Sequence, residues 1–177
     1  MRWWWLASIQ CLCIHGVTEL RFDGAQGLSR TYQGKPAVWN AFLPNFGKPK
    51  LSYSTPMDRE SYNLNPSFSG RVVINPADFN VTRSLGCDPL AAAPPHEAVA
   101  VLVERGRCSF HEKALNAWRA GYSALLVANT VPGAGRVPDM TAAPGADRGV
   151  ELPAWALSRG DGEALRAWLG GEHSLRL

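Results

Sequence analysis

Cysteine, histidine, serine and asparagine placements set the range of chemistry open to this 177-residue chain. Four cysteines occur as Cys11 with Cys13 and Cys87 with Cys108. Neither pair has Cys-x-x-Cys spacing and no two histidines stand at ligand spacing, so a metal site is not indicated. His111-Glu112 opens like a zincin helix, but the position four residues after His111 is Leu115, which cannot ligate. His96, His111 and His173 share no spacing with one another or with a carboxylate pair, and read as surface residues. Ser109 and Ser158 lack the Gly-x-Ser-x-Gly setting of a nucleophile. No catalytic residue, cofactor or metal ligand is assigned. Asn80-Val81-Thr82 is an N-glycosylation acceptor, whereas Asn65-Pro66-Ser67 is excluded by its proline.

Whether Asn80 and the cysteines are used depends on the compartment. Met1-Arg2 is a short basic start, and residues 3–14 are apolar except for Ser8 and Gln10. This has the length of a secretory leader and falls short of the roughly 20 residues a transmembrane helix needs. We therefore expect residues 1–16 to be a removed signal peptide and residues 17–177 to be one domain. Loss of the leader takes Cys11 and Cys13 with it. Cys87 and Cys108 then read as one disulfide in an oxidising compartment, either the secretory-pathway lumen (Golgi, prevacuolar compartment or vacuole) or the extracellular space. Closing a loop of about 22 residues stabilises the fold by roughly 3 kcal/mol in the chain-entropy picture.

The elements that must position these residues are clearest in the centre. Residues 98–103, Ala-Val-Ala-Val-Leu-Val, have the composition of a strand buried on both faces. Glu104-Arg105-Gly106-Arg107 reads as a turn. Ser109 with Glu112 forms a capping box for a helix over 110–120, which Gly121 stops. Phe110, Ala114, Ala117, Trp118 and Gly121 make one apolar face, and His111, Glu112, Asn116 and Arg119 are expected to face water. A second apolar strand over 123–128 completes a βαβ unit, whose strands should be parallel.

Other expected strands are 20–22, 71–74, 151–157 (edge or bulged, because of Pro153) and a closing 173–177. A second helix over 161–169 buries Leu165, Trp168 and Leu169. Residues 51–68 read as a polar surface excursion and 129–150 as a long Pro/Gly/Ala loop, either a lid or loosely held. The expected fold is a small α/β domain with a mixed sheet or open barrel of about six strands, two helices and a βαβ core.

Composition narrows the function. The chain is 46% hydrophobic and 19% charged, with 18 Lys plus Arg against 15 Asp plus Glu, for a net charge of +3. That balance argues against disorder over most of its length. The basic residues are scattered, so neither a nucleic-acid nor an anionic-membrane partner is implied. No later segment approaches 18 apolar residues, so no membrane span is expected.

Arg105-Gly106-Arg107-Cys108-Ser109-Phe110, with Lys113, Asn116-Ala117 and Ala120-Gly121 following, resembles the protease-associated domain family. Its pattern is an apolar strand, Arg-Gly-x-Cys-x-Phe, a helix ending in Ala-Gly and a second apolar strand. The likeness runs on through Leu152-Pro153-Ala154 and Gly162 to Leu165, and covers about 20–177. Within the family it is most similar to plant-type vacuolar sorting receptors, through Leu20-Arg21-Phe22, Asn45-Phe46-Gly47-Lys48-Pro49 and Ser69-Gly70-Arg71-Val72-Val73, and Cys87 stands where those receptors place the partner of the motif cysteine.

The resemblance implies a non-catalytic module that binds peptide segments of soluble secretory or vacuolar proteins, such as sorting signals on cargo. Arg105 would be the main contact, with Gly106, Arg107, Cys108, Ser109 and Phe110 completing the loop. The chain departs from the receptors at Arg107 (usually Asp), at Ser109 (usually aromatic) and at Asn129-Thr130, where they carry an acidic residue. Their EGF-like repeats, membrane helix and cytosolic tail do not occur in these 177 residues. The chain therefore reads as a truncated product, a soluble relative or a bare domain. The alternative is an accessory, substrate-recruiting domain of a subtilisin-like or signal-peptide-peptidase-like hydrolase, or of a membrane RING-type ubiquitin ligase.

Overall fold

The structure is a computed structural model, and it describes residues 7–9, 18–23, 29–37, 68–74, 85–132, 137–140, 150 and 152–171. In chain order the elements are β1 (Ala7–Ile9), β2 (Thr18–Asp23), β3 (Ser29–Pro36), β4 (Phe68–Ile74), β5 (Val99–Glu104), α1 (Phe110–Arg119), β6 (Ala124–Ala128), β7 (Ala154–Leu157) and α2 (Arg159–Gly171). The described strands form one mixed sheet in the order β1-β4-β5-β6-β7-β3-β2. Strands β4 to β7 are parallel neighbours. The β2–β3 hairpin joins β7 antiparallel on one side and β1 joins β4 antiparallel on the other. β1 also approaches β2, so the sheet curls into an open barrel. This is the expected small α/β architecture with a βαβ core.

Continuous apolar runs form the central strands because both sheet faces are covered. From β5, Val99, Val101 and Val103 join Leu125 and Val127 of β6 and Ala154 and Ala156 of β7, and pack under Ala114 and Ala117 of α1. The alternate residues Ala100, Leu102, Leu126, Trp155 and Leu157 point the other way, beneath Leu165 and Trp168 of α2. Every side chain of β5, β6 and β7 is buried, as a period-2 backbone between two layers requires. α2 starts where Ser158 caps it, its Oγ accepting from the Asp161 N–H at 3.1 Å.

Three elements differ from expectation. β3 is an additional strand. Its residues look like loop because only Tyr32 and Gly34 of its central stretch are buried, while Thr31 and Gln33 are exposed. Gly34 is needed for close approach, since a Cβ there would come within 3.0 Å of the Leu20 side chain. β7 is internal, not the edge or bulged strand its proline indicated. Pro153 stands just before the strand and contributes only its carbonyl, which accepts from the Leu125 N–H at 2.9 Å, so its missing N–H breaks no ladder. Glu104 closes β5 rather than opening the turn, and its carboxylate receives the Arg166 guanidinium at 2.7 Å, tying α2 to the sheet.

Ala7–Ile9, within the expected leader, forms β1 at the sheet edge beside β4. The ladder from β4 through β2 does not pass through it. Of the long loop, Met140 is buried and Lys35 pairs with Asp139, so that part is docked on the core. Asn80, residues 45–49, residues 51–67 and the expected strand at 173–177 lie outside the described residues.

The tight contact between α2 and the end of β6 yields a paired prediction. A Cβ on Gly162 would overlap the Ala128 methyl and come within 3.2 Å of its Cα, whereas one on Gly160 meets nothing within 4 Å. Gly162→Ala should lower stability by about 1–3 kcal/mol. Gly160→Ala should leave it unchanged or raise it by up to about 1 kcal/mol. Urea unfolding of both variants measures the difference.

Candidate functional site

The parallel strands direct β5 and β6 to the same end of the sheet, and the Arg105–Phe110 loop leaves from the carboxyl end of β5. That end is where open α/β sheets present ligands, because neighbouring connections diverge there. The Arg105 N–H donates to Ala128 O at 2.8 Å, extending the ladder by one residue. The chain then reverses sharply. Gly106 lies at φ 135° and Arg107 at φ 58°, and the Cys108 N–H returns to Gly106 O at 2.8 Å. This is a three-residue turn around a non-glycine residue in the left-handed region, a costly conformation held by its surroundings.

Several restraints hold it. Cys108 is bonded to Cys87, with their Cα atoms 5.7 Å apart, as expected. Ser109 caps α1 with the full capping box: its Oγ accepts from the Glu112 N–H at 3.1 Å, and its own N–H donates to Glu112 Oε2 at 2.9 Å. The Ser109 backbone N–H, and then its hydroxyl, hold the Glu112 carboxyl below the usual carboxylate range. At its far end α1 closes with Gly121 at φ 85°, the Tyr122 N–H donating to Ala117 O and the Gly121 N–H to Trp118 O. That reciprocal pair is a Schellman motif.

The central restraint is Lys113. It is fully buried. Its ammonium donates to Leu85 O and, at 2.8 Å, to Gly106 O, and lies 3.3 Å from Cys108 Sγ and 3.5 Å from Cys87 Sγ. Burial pushes its pKa down to about 8, opposed by Glu112 and Glu104. One turn along, Asn116 Nδ2 donates to Gly86 O at 3.1 Å and Cys87 O at 3.0 Å. Lys113 and Asn116 thus bind the segment before the disulfide to the loop after it. Asn116, expected to face water, is half-buried by this contact.

Trp118 corrects the apolar-face reading in the opposite sense, being 45% exposed. Around the helix, Lys113 lies about 60° to one side of Phe110 and Trp118 about 80° to the other. The donors at 113 and 116 draw α1 toward residues 85–87, and the roll carries Trp118 into solvent. Hydrophobicity alone missed this, because a lysine and an asparagine beside alanines resemble a solvated face.

Of the loop residues, Arg107 and Ser109 are exposed, while Arg105, Gly106, Cys108 and Phe110 are half-buried. Arg105 Nη1 donates to Asn129 Oδ1 at 3.2 Å, and its guanidinium lies 6.0 Å from the Phe110 ring centroid. Thr130 Oγ donates to Arg105 O at 3.1 Å, and the Val131 N–H donates to Asn129 Oδ1 at 3.3 Å. Residues 129–131 and the loop therefore form one surface. Asn129 is neutral, so it orients Arg105 without cancelling its charge, and no carboxylate pairs with Arg105 or Arg107 among the described residues. Phe110 packs at the margin of the core on the α1 side, as its place on the apolar face indicated.

The profile of the PA domain family matches residues 68–165, more than half of the chain. The chain belongs to the PA domain family. The match spans β4 through most of α2, and so contains the loop, the disulfide and Lys113. A PA domain is an accessory, non-catalytic unit that binds peptides or proteins. No curated protein matches the chain. Among solved structures it is similar to BSAP, a zinc aminopeptidase from Bacillus subtilis, at 33% identity over 38% of this chain and 16% of that one, with a TM-score of 0.32. A second, medium-resolution structure of the same enzyme gives 20% identity over 54% of this chain and 20% of that one, with a TM-score of 0.36. The chain thus corresponds to no more than 20% of that enzyme's length. Among the described residues of this PA domain, no three His, Cys, Asp or Glu are grouped to hold a metal ion, and no helix is long and apolar enough to cross a membrane.

The Lys113 site has a distinct pH signature. Up to about pH 8 the lysine is charged in both folded and unfolded chains, and its desolvation cost is at full value. Between about 8 and the ordinary value of 10.5, the unfolded chain holds more protons than the folded one, so stability rises with pH. Urea titrations from pH 7 to 10.5 should show this rise in the wild type. Lys113→Met should lack it and be destabilised by about 1–3 kcal/mol, through loss of the bonds to Leu85 O and Gly106 O.

Proposed function

We propose that this PA domain recognises an extended peptide segment on another protein, with Arg105 as its principal contact and Gly106, Arg107, Cys108, Ser109 and Phe110 forming the rest of the surface. One observation carries the reading: the loop is fixed at its base by the disulfide, Lys113 and the helix cap, yet it keeps two arginines without a carboxylate partner among the described residues. A loop already fixed in shape loses little entropy on binding, so more of each contact appears as affinity. The free donors of Arg105 suit peptide carbonyls or a terminal carboxylate. Asn129 favours the same role by orienting the guanidinium while leaving its charge available.

The proposed ligands are sorting-type signals on soluble proteins of the secretory pathway. Arg107, beside Arg105, biases the choice toward peptides with an acidic side chain near the contact. The proposed setting is the secretory lumen or the extracellular space, reached through a leader at residues 1–16. The Cys87–Cys108 bond supports an oxidising compartment. Such a setting would also allow glycosylation at Asn80.

Peptide-library capture followed by fluorescence anisotropy tests the assignment. Arg105→Ala should weaken capture tenfold or more while changing stability by about 1 kcal/mol at most, as for a half-exposed side chain with one neutral hydrogen bond. Arg107→Gly suits the positive φ and should keep the fold, while reducing the preference for acidic over neutral peptides several-fold. Unchanged capture by both variants would remove the loop from recognition.

A further inference from the structure

A buried cation that touches both sulfurs of a disulfide does more than hold carbonyls. Lys113 reaches Leu85 O and Gly106 O, and a neutral donor of similar length could serve those two acceptors. Its ammonium also lies 3.3 Å from Cys108 Sγ and 3.5 Å from Cys87 Sγ, and no carboxylate of the described residues forms an ion pair with it. With a pKa of about 8 it is still mostly charged at neutral pH. Both cysteines are half-buried, and Cys87 is followed by exposed Asp88 and Pro89, so a small thiol can approach it.

We infer that Cys87–Cys108 is a thiol-exchange site, in which Lys113 stabilises the Cys108 thiolate released when a small thiol opens the bond. The thiolate of a reductant such as glutathione attacks Cys87 Sγ. The Cys87–Cys108 bond breaks, a mixed disulfide forms at Cys87, and the electron pair leaves on Cys108 Sγ beside the Lys113 ammonium. A second glutathione thiolate then attacks the glutathione sulfur of the mixed disulfide. It releases Cys87 as a thiolate that takes a proton from solvent, and oxidised glutathione departs. Two glutathione thiols are oxidised and one protein disulfide is reduced. A leaving thiol of lower pKa departs faster, and a more stable reduced form makes a disulfide easier to open. Reduction frees Cys108 from Cys87, so the exchange changes how firmly the Gly106–Cys108 turn is held. The thiol chemistry stands independently of peptide recognition, and only this last consequence rests on it.

The test is peptide-resolved alkylation of the reduced full chain with iodoacetamide between pH 5 and 10, read by mass spectrometry at Cys108. The wild type should titrate at least one unit below the ordinary thiol value of about 8.5. Lys113→Gln should move the midpoint back toward that value, and Lys113→Arg should retain the low one. The oxidised wild type should open at a glutathione ratio about tenfold less reducing than Lys113→Gln requires, equivalent to about 30 mV. Should Lys113→Gln fail to fold, the wild-type midpoint with and without 6 M urea decides the matter: a lower midpoint in the folded chain supports the site. An equal midpoint in the two conditions, or in wild type and folded Lys113→Gln, would sink it and leave Lys113 a structural anchor alone. Peptide capture plays no part in these measurements, so their failure is distinct from failure of the recognition surface.

Discussion

The arrangement of the loop depends on one ammonium group placed where water cannot reach it. A buried charge is unfavourable unless its neighbours answer it. Lys113 is answered by Leu85 O, Gly106 O and two sulfurs, drawn from two separate stretches of chain. Neither of these stretches is regular secondary structure, so neither has a ladder of its own to fix it. The lysine therefore does for residues 85–87 and 106–108 what backbone pairing does for the strands. The disulfide links the same two stretches covalently, but a bond between two points leaves rotation about it. The lysine, together with Asn116 on the next turn, supplies the missing points of attachment.

This arrangement accounts for the unusual backbone of the turn. Arg107 in the left-handed region and Gly106 at φ 135° persist only because the residues on either side are fixed. Before the turn, Arg105 is still paired to β6 through Ala128 O. After it, Ser109 is bound into the first turn of α1 by the Glu112 carboxylate. The strain is thus confined to two residues between rigid supports. Of these two, Arg107 carries its side chain into solvent. Rigidity at the base and exposure at the tip share one cause, because α1 begins immediately after the turn and cannot follow it outward.

The sequence made the two-faced strands, the capping box and the helix stop legible, because each depends on local pattern, and the disulfide legible because Cys87 and Cys108 are the two cysteines outside the expected leader. Apolar runs of strand length have few alternatives, and Ser109 with Glu112 is a near-complete description of a helix start. What it concealed depends on contacts far apart in the chain. β3 was hidden because half its side chains meet solvent and its glycine is there for Leu20. Lys113 and Asn116 were hidden because their partners include backbone carbonyls 28 to 30 positions away, which carry no residue-type signal. Trp118 was misplaced for the same reason. A helix rolls to satisfy all its contacts, and periodicity counts only the apolar ones.

Family membership and local chemistry answer different questions about this surface. The PA domain match accounts for the sheet, the two helices and the placement of the loop between β5 and α1. It leaves open which ligand the loop prefers, since the side chains there are this chain's own. Asn129 shows the difference. An acidic residue in that position would pair with Arg105 and reduce the field it presents outward, whereas the amide oxygen holds the same geometry and leaves the positive charge intact. With Arg107 beside it, the loop combines two cations without a carboxylate partner among the described residues with the Phe110 ring, on a support that cannot relax away from them. Charge left uncompensated in a rigid setting favours an anionic partner, because among the described residues the loop has no internal ion pair that the partner must first displace.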